Sequence, residues 1–165
     1  MNNDDCILTI NGAPSSIKFS LYKVEEQFEQ LFNGEIENIG AKKAKLYFNH
    51  TISQQENNLD IKATDYDEVA NNLIEWLKKL QGFTSVSTIG HRIVCGMKHT
   101  EPELVTDDLF NELKKISLFD PEHLSEEIKL IEVLLGISEI NSDMQELIKI
   151  EYTNNLAKEA IELLC

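Results

Sequence analysis

Two short apolar runs near the front of the chain, residues 6–10 and 16–22, are separated only by Asn11-Gly12-Ala13-Pro14-Ser15. Five residues of that kind hold neither a helix nor a crossover connection, so the two runs are expected to fold back on each other as a hairpin. The second run alternates Ile17, Phe19 and Leu21 with Lys18, Ser20 and Tyr22, the period of a strand with one wetter face, while the first reads as an interior strand. Residues 23–34 form a connection without clear periodicity. Residues 35–39 and 44–49 add two short strands, with Leu46 and Phe48 on one face, and Leu59 and Ile61 give a weaker strand signal inside the polar stretch 51–64. The first half of the chain is therefore expected to be largely antiparallel sheet.

The period changes at Asp65. Asp65 and Glu68 make a capping box, after which Val69, Leu73, Trp76, Leu77 and Leu80 recur at helical spacing until Gly82. Residues 86–95 return to strand character around Ile89, Ile93 and Val94, and a loop follows over 96–103. Thr106 caps a helix whose first turn holds Asp107 and Asp108 and whose core face is Leu109, Phe110, Leu113 and Ile116. Asp120-Pro121 opens another, with Leu124, Ile128, Ile131, Leu134 and Leu135 on one side and Gly136 as its stop. Ser142 and Gln145 open a last helix over 142–164, with Ile148, Tyr152, Leu156 and Ile161 on its apolar face. These elements predict one α/β domain spanning 1–165. Its mixed sheet lies within residues 6–95, the helix 65–80 packs on that sheet, and the part after it is mainly helical, ending in a helical tail over 141–165.

Composition narrows the function. With 42% hydrophobic residues in 165, the chain can bury one core. Its net charge of −14 comes mostly from residues 65–165, which hold 9 basic and 20 acidic side chains. So acidic a surface repels nucleic-acid phosphates and anionic bilayers, and neither is expected as a partner. Cys6, Cys95 and Cys165 have no metal-ligand spacing and read as free thiols. With no basic stretch leading into an apolar run, and no apolar run near the ~20 residues that span a bilayer, a cytoplasmic location is expected.

Few residues carry chemistry. Asn11 follows a strand and precedes a small-residue turn, a position that more often serves to cap the turn than to reach a phosphate oxygen or a metal-bound water, though it suits both. Ser15, Ser16 and neighbouring amides can line a phosphate-sized bend, although Pro14 removes one donor there. Neither the glycine-rich dinucleotide fingerprint nor a glycine-rich loop ending in Gly-Lys-Ser/Thr is present. His91 and Arg92 are consecutive in a strand, so only one of them can enter a given cleft. Arg92, with its fixed fork of donors, suits a carboxylate or phosphoryl group, and suits equally a structural ion pair in an acidic protein.

Four ordered stretches resemble the acetate kinase family. Residues 11–19 (Asn11-Gly12-Ala13-Pro14-Ser15-Ser16-Ile17-Lys18-Phe19) match its opening Asn-Ala-Gly-Ser-Ser-Ser segment. Residues 34–40, 89–96 and 101–106 match later segments in the same order, the third around His91-Arg92. The resemblance covers about 6–135 and implies the N-terminal domain of a ribonuclease H-like fold, as in sugar kinases, Hsp70 and actin. It also implies transfer of phosphate between ATP and acetate or a related short acid, with magnesium. By matched position, Asn11 would help organise magnesium and phosphate, Arg92 would be the catalytic and substrate-binding arginine, and Val94 and Leu118 would wall the acid's methyl group. Departures accompany the matches. Phe119 stands where the family has a phosphate-contacting histidine, Cys95 replaces another histidine, and Gly96-Met97 replaces Gly-Gly. No counterpart of the strand with the catalytic aspartate is legible, nor is the nucleotide-binding second domain. The resemblance thus implies a kinase-like domain without independent catalysis. The alternatives are half of a split short-chain carboxylate kinase completed by a separately encoded chain, and a small carboxylate-binding or protein-interaction module. A homodimer is expected through the strand holding His91 and the helix 142–164.

Overall fold

The computed structural model describes residues 5–25, 27–41, 43–51, 55–63, 65–94, 96–99, 101–119, 121, 124–140 and 148–152, the side chains at 55, 137–140 and 148–152 excepted. The opening hairpin is β1 (Cys6–Ala13) and β2 (Ser16–Lys23), joined by Pro14 and Ser15 and closed by the pair Ala13 and Ser16. β3 (Glu29–Glu37), β4 (Ala44–His50) and β5 (Gln55–Ile61) continue as an antiparallel meander. α1 (Tyr66–Leu77) follows, its first turn held by the Asp65 carboxylate, which accepts from the Glu68 amide at 2.9 Å. β6 (Val86–Ile93) then returns beside β1 in parallel. β7 (Glu103–Leu104), α2 (Asp107–Ile116), α3 (Leu124–Ile140) and β8 (Ile148–Tyr152) complete the described chain. The eight strands make one mixed sheet in the order β5-β4-β3-β2-β1-β6-β8-β7.

Three expectations are corrected. β3 begins at Glu29, inside the stretch read as a connection, because pairing with β2 and β4 buries Phe32 (7% exposed) that no local alternation announces. α3 runs through Gly136 to Ile140, since Gly136 takes no left-handed conformation there and is simply an interior helical glycine. The helix expected over 142–164 is overturned at Ile148–Tyr152, which is a strand parallel to β6. Ile148 and Ile150 alternate with Lys149 and Glu151, a period of two that the sheet satisfies and a helix does not. The rest of that segment lies outside the described residues, as does the Asp120 cap.

The helix-covered face of the sheet is apolar. Leu8, Ile10, Ile17, Phe19, Leu21, Ile36, Leu46 and Ile89 meet α1 and the Leu130–Leu134 stretch of α3, while Ile93 joins α2 and α3 in a second cluster. Glycine at position 34 lets this core close. Phe19 and Phe48 flank Gly34 on the neighbouring strands, and both rings meet Trp76 of α1, at centroid distances of 5.6 and 4.8 Å. A Cβ at position 34 would stand 2.5 Å from Phe19 Cζ and 2.7 Å from the Tyr47 carbonyl oxygen.

Two alanine substitutions should therefore act with opposite sign in urea denaturation. Gly34→Ala should destabilise the fold by about 1–3 kcal/mol through overpacking. Gly136→Ala, whose Cβ would meet nothing within 4 Å, should stabilise it by up to about 1 kcal/mol through helix propensity.

Candidate functional site

Parallel pairing of β1 with β6 sets Asn11 opposite Arg92 and Ile10 opposite His91. Residues paired in register share a face of the sheet, so Asn11 and Arg92 lie together on the face away from α1 and α3. His91 takes the other face, where it is 1% exposed. Across the hairpin Asn11 pairs with Lys18, so the row reads Lys18, Asn11, Arg92. Lys18 is 3.8 Å from Glu35, its partner on β3. Arg92 is half-buried, its Nε is shielded from solvent, and no hydrogen bond or ion pair joins its guanidinium to any described residue. A buried charged donor without a partner is costly and uncommon. The ion-pair reading of Arg92 therefore finds no partner among the described residues. Reading residues 142–164 as helix also hid Glu151, which the β8 register sets beside Arg92; the signal that finds it is the Ile-Lys-Ile-Glu alternation.

The other singled-out residues are placed as follows. Ser15 and Ser16 stand at the tip of the β1–β2 hairpin, beyond Asn11 at the same end of the sheet. Ser15 is exposed and its carbonyl accepts from the Ile39 amide at 3.0 Å, so that oxygen is committed to the fold. Val94 follows β6 and is 46% exposed. Its amide donates to Glu127 of α3, 3.3 Å from each carboxylate oxygen, and Glu127 is itself buried. Leu118 and Phe119 are 79% and 78% exposed after the end of α2. Leu118 borders a shallow hollow with α2 side chains such as Asn111 and Lys115, and no residue of β1 or β6 lines it. The structure thus unites Asn11 and Arg92 and does not bring Leu118 to them as a wall. The loop after β6 is tied to β7 by His99 Nδ1, 2.7 Å from Glu103, and to α2 by Lys98 Nζ, 2.7 Å from Glu112.

Behind Asn11 and Arg92, on the covered face, a buried polar cluster surrounds Gly12. A Cβ there would lie 2.7 Å from Tyr66 Oη and 3.9 Å from His91 Cε1. Tyr66 Oη and both His91 ring nitrogens have no hydrogen-bond partner among the described residues. Burial pushes the His91 imidazolium down to about 4, with the nearby Ile10 backbone opposing slightly from outside hydrogen-bonding geometry. Burial raises the Tyr66 phenol, and the carboxylates of Glu126 and Glu127 raise it further.

The acetokinase family profile matches residues 6–135. This chain belongs to the acetokinase family. An acetate kinase of Borrelia duttonii is 36% identical over 135 residues, covering 76% of this chain and 32% of that protein. A propionate kinase of Francisella tularensis superposes with a TM-score of 0.73 at 24% identity, over 90% of this chain and 36% of that one. A Porphyromonas gingivalis acetate kinase gives 0.74 at 15% identity, over 90% and 37%. The chain spans about a third of the length of these relatives, and its sheet and helices have the acetate-kinase-like, ribonuclease H-like fold.

Acetokinases imply magnesium and ATP. Among the described residues no three His, Cys, Asp or Glu side chains gather as a metal site. Asn11 offers one neutral oxygen in a row that runs Glu35, Lys18, Asn11, Arg92, Glu151. A single amide oxygen flanked by two cations is a poor seat for a divalent ion, which takes several oxygen ligands.

The depressed His91 fixes a pH dependence. The unfolded chain takes up a proton near 6.5 that the folded chain refuses until about 4, so this contribution is complete above pH 6.5 and is lost as pH falls towards 4. Between pH 7 and pH 5 the loss should be about 2 kcal/mol. Urea midpoints across that range should fall for the natural chain and flatten for His91→Gln.

Proposed function

We propose that this acetokinase-family chain binds a short-chain carboxylate or its acyl phosphate at Arg92 and Asn11, and does not carry out phosphoryl transfer by itself. The half-buried Arg92 guanidinium, unpaired among the described residues of a chain of charge −14, is the observation that carries this reading. A planar fork of donors matches the two oxygens of a carboxylate, and charge-assisted bonds of this kind contribute about 1.5–3 kcal/mol each. The Asn11 amide can donate to a third oxygen or accept from a ligand hydroxyl. Lys18 adds positive potential on the same row.

Binding is not transfer. An in-line displacement needs charge neutralised on several sides and the donor held against the acceptor. Here one arginine and one asparagine lie on a sheet face, and Phe119, in place of the family's histidine, is exposed at the end of α2. In this reading ATP and magnesium belong to a complete family member, and acetate and propionate, the acids in the relatives' names, define the ligand class. A second reading, half of a split carboxylate kinase, is favoured by the same exposed row, because a separately encoded chain carrying the nucleotide side could close over it. For homodimers, the reason drawn from an open β6 edge is removed: β6 lies between β1 and β8.

Acetyl phosphate and acetate titrations followed by NMR should show saturable binding that weakens about 10-fold to 100-fold in Arg92→Ala, with partial recovery in Arg92→Lys. Acetyl phosphate formation from ATP, acetate and magnesium should stay at background. Turnover by the chain alone that Arg92→Ala abolishes would overturn the inactive reading; turnover only on adding a separately encoded second half would establish the split kinase.

A further inference from the structure

One hollow of the described chain lies apart from Arg92. It measures about 980 Å³ and lies on the open face of β2 to β5. Strand register builds its floor in rows: Ser20, Asn33, Asn49 and Glu56 stand side by side on four successive strands, and Lys18, Glu35, Tyr47 and Asn58 form the next row. Ser20 and Tyr22 are buried at 6% and 2% exposure, while Tyr47 and Phe28 stand at the rim at 40% and 54%.

The polar groups are already ordered. Gln30 Nε2 donates to Tyr22 Oη at 3.0 Å and lies 3.4 Å from Ser20 Oγ, and Asn33 Nδ2 donates to Gln30 Oε1 at 3.0 Å. Asn49 Oδ1 is buried and has no hydrogen-bond partner among the described residues, an acceptor open to a donor. Charge is largely cancelled within the lining by Lys18 and Glu35 at 3.8 Å, leaving Glu56 as a further acid. That balance disfavours a phosphate or carboxylate. An extended peptide is disfavoured for a different reason: peptides add to sheets through unpaired edges, whereas the hollow's buried polar floor lies on β2, β3 and β4, each paired on both sides, with β5 alone of its strands at the sheet's end. Side-chain amides, hydroxyls and a half-exposed aromatic ring instead suit a ligand that presents hydroxyl donors on its edge and C–H groups on its face.

We infer that this hollow is a binding site for a neutral, hydroxyl-rich ligand of the size of a short oligosaccharide, with Tyr47 packing on a sugar face and Asn33 and Asn49 bonding its hydroxyls. The site is independent of Arg92 and of any phosphoryl transfer.

Saturation-transfer NMR and calorimetry on the full chain with maltotriose, cellotriose and chitotriose test this. At least one should bind with a dissociation constant below 10 mM, and Tyr47→Ala should weaken it at least 10-fold while leaving acetate binding and the circular dichroism spectrum unchanged. Asn49→Ala should also weaken it, and Asn49→Asp should not restore it, because a carboxylate beside Glu56 adds repulsion. No transfer to any of the three sugars at 10 mM, or binding indifferent to Tyr47→Ala, would overturn the site. So would a concentration-dependent dimer that Tyr47→Ala dissociates, since the face would then be an interface between copies.

Discussion

The parallel pairing of β1 with β6 is the constraint on which the rest of this structure depends. It joins residues about eighty positions apart, with Ser87 Oγ reaching the Cys6 carbonyl at 3.5 Å at one end and Asn11 opposite Arg92 at the other. A parallel pair cannot be closed by a tight turn, so the four antiparallel strands β2 to β5, the helix α1 and the turn after it are spent on the return. The same register sends Ile10 and His91 into the core and Asn11 and Arg92 to the opposite face. A slip of one residue would exchange the two sets, exposing Ile93 and burying a guanidinium. The apolar side of the pair therefore enforces the geometry of the polar side.

Elements whose signal is local were legible in the sequence. The hairpin is announced by five turn-forming residues, and α1 and α2 by Asp65 and Thr106, whose caps form as the spacing implies. Opposite orientations for His91 and Arg92 follow from strand alternation alone. What was not legible depends on partners far along the chain. β3 looked like a connection because Glu29, Gln30 and Leu31 carry no period of their own and become strand only between β2 and β4. β8 was read as helix because Ile148 and Tyr152 are also four apart, a spacing that fits both periods. The site divides the same way: the pairing of Asn11 with Arg92 needs the register, while the exposure of Leu118 reflects where α2 happens to end.

Electrostatics gives the row its meaning in so acidic a chain. Most cations of the described surface are taken: Lys78 by Glu75, Lys98 by Glu112, Lys114 by Glu132, Lys23 by Glu25. Such exposed pairs contribute little to stability, about 0–1 kcal/mol each. They do neutralise positive charge locally, so that a half-buried arginine without a partner among the described residues stands out against its surroundings. Lys18, held at 3.8 Å by Glu35, is only loosely engaged. An anion arriving at Arg92 thus meets a local positive group on a negative body, which favours a small ligand over a polyanion that would also lie against the acidic surface within the Debye length of about 8 Å.

The cluster beneath the row bears a cost that the fold must offset. Three polar atoms of His91 and Tyr66 are buried without partners among the described residues, and each atom left unsatisfied costs about 1–3 kcal/mol relative to a satisfied one. They occupy the space that glycine leaves at position 12, immediately next to Asn11 in β1, and His91 is immediately next to Arg92 in β6. A shift of one strand against the other that gave these atoms partners would also move Asn11 against Arg92, because the two faces share one backbone. Glu127 adds a second tie, since its carboxylate fixes the Val94 amide just past the end of β6. The covered face is therefore not a neutral support: through Gly12, His91 and the Val94 amide it acts on the same two strands that carry Asn11 and Arg92 on the open face.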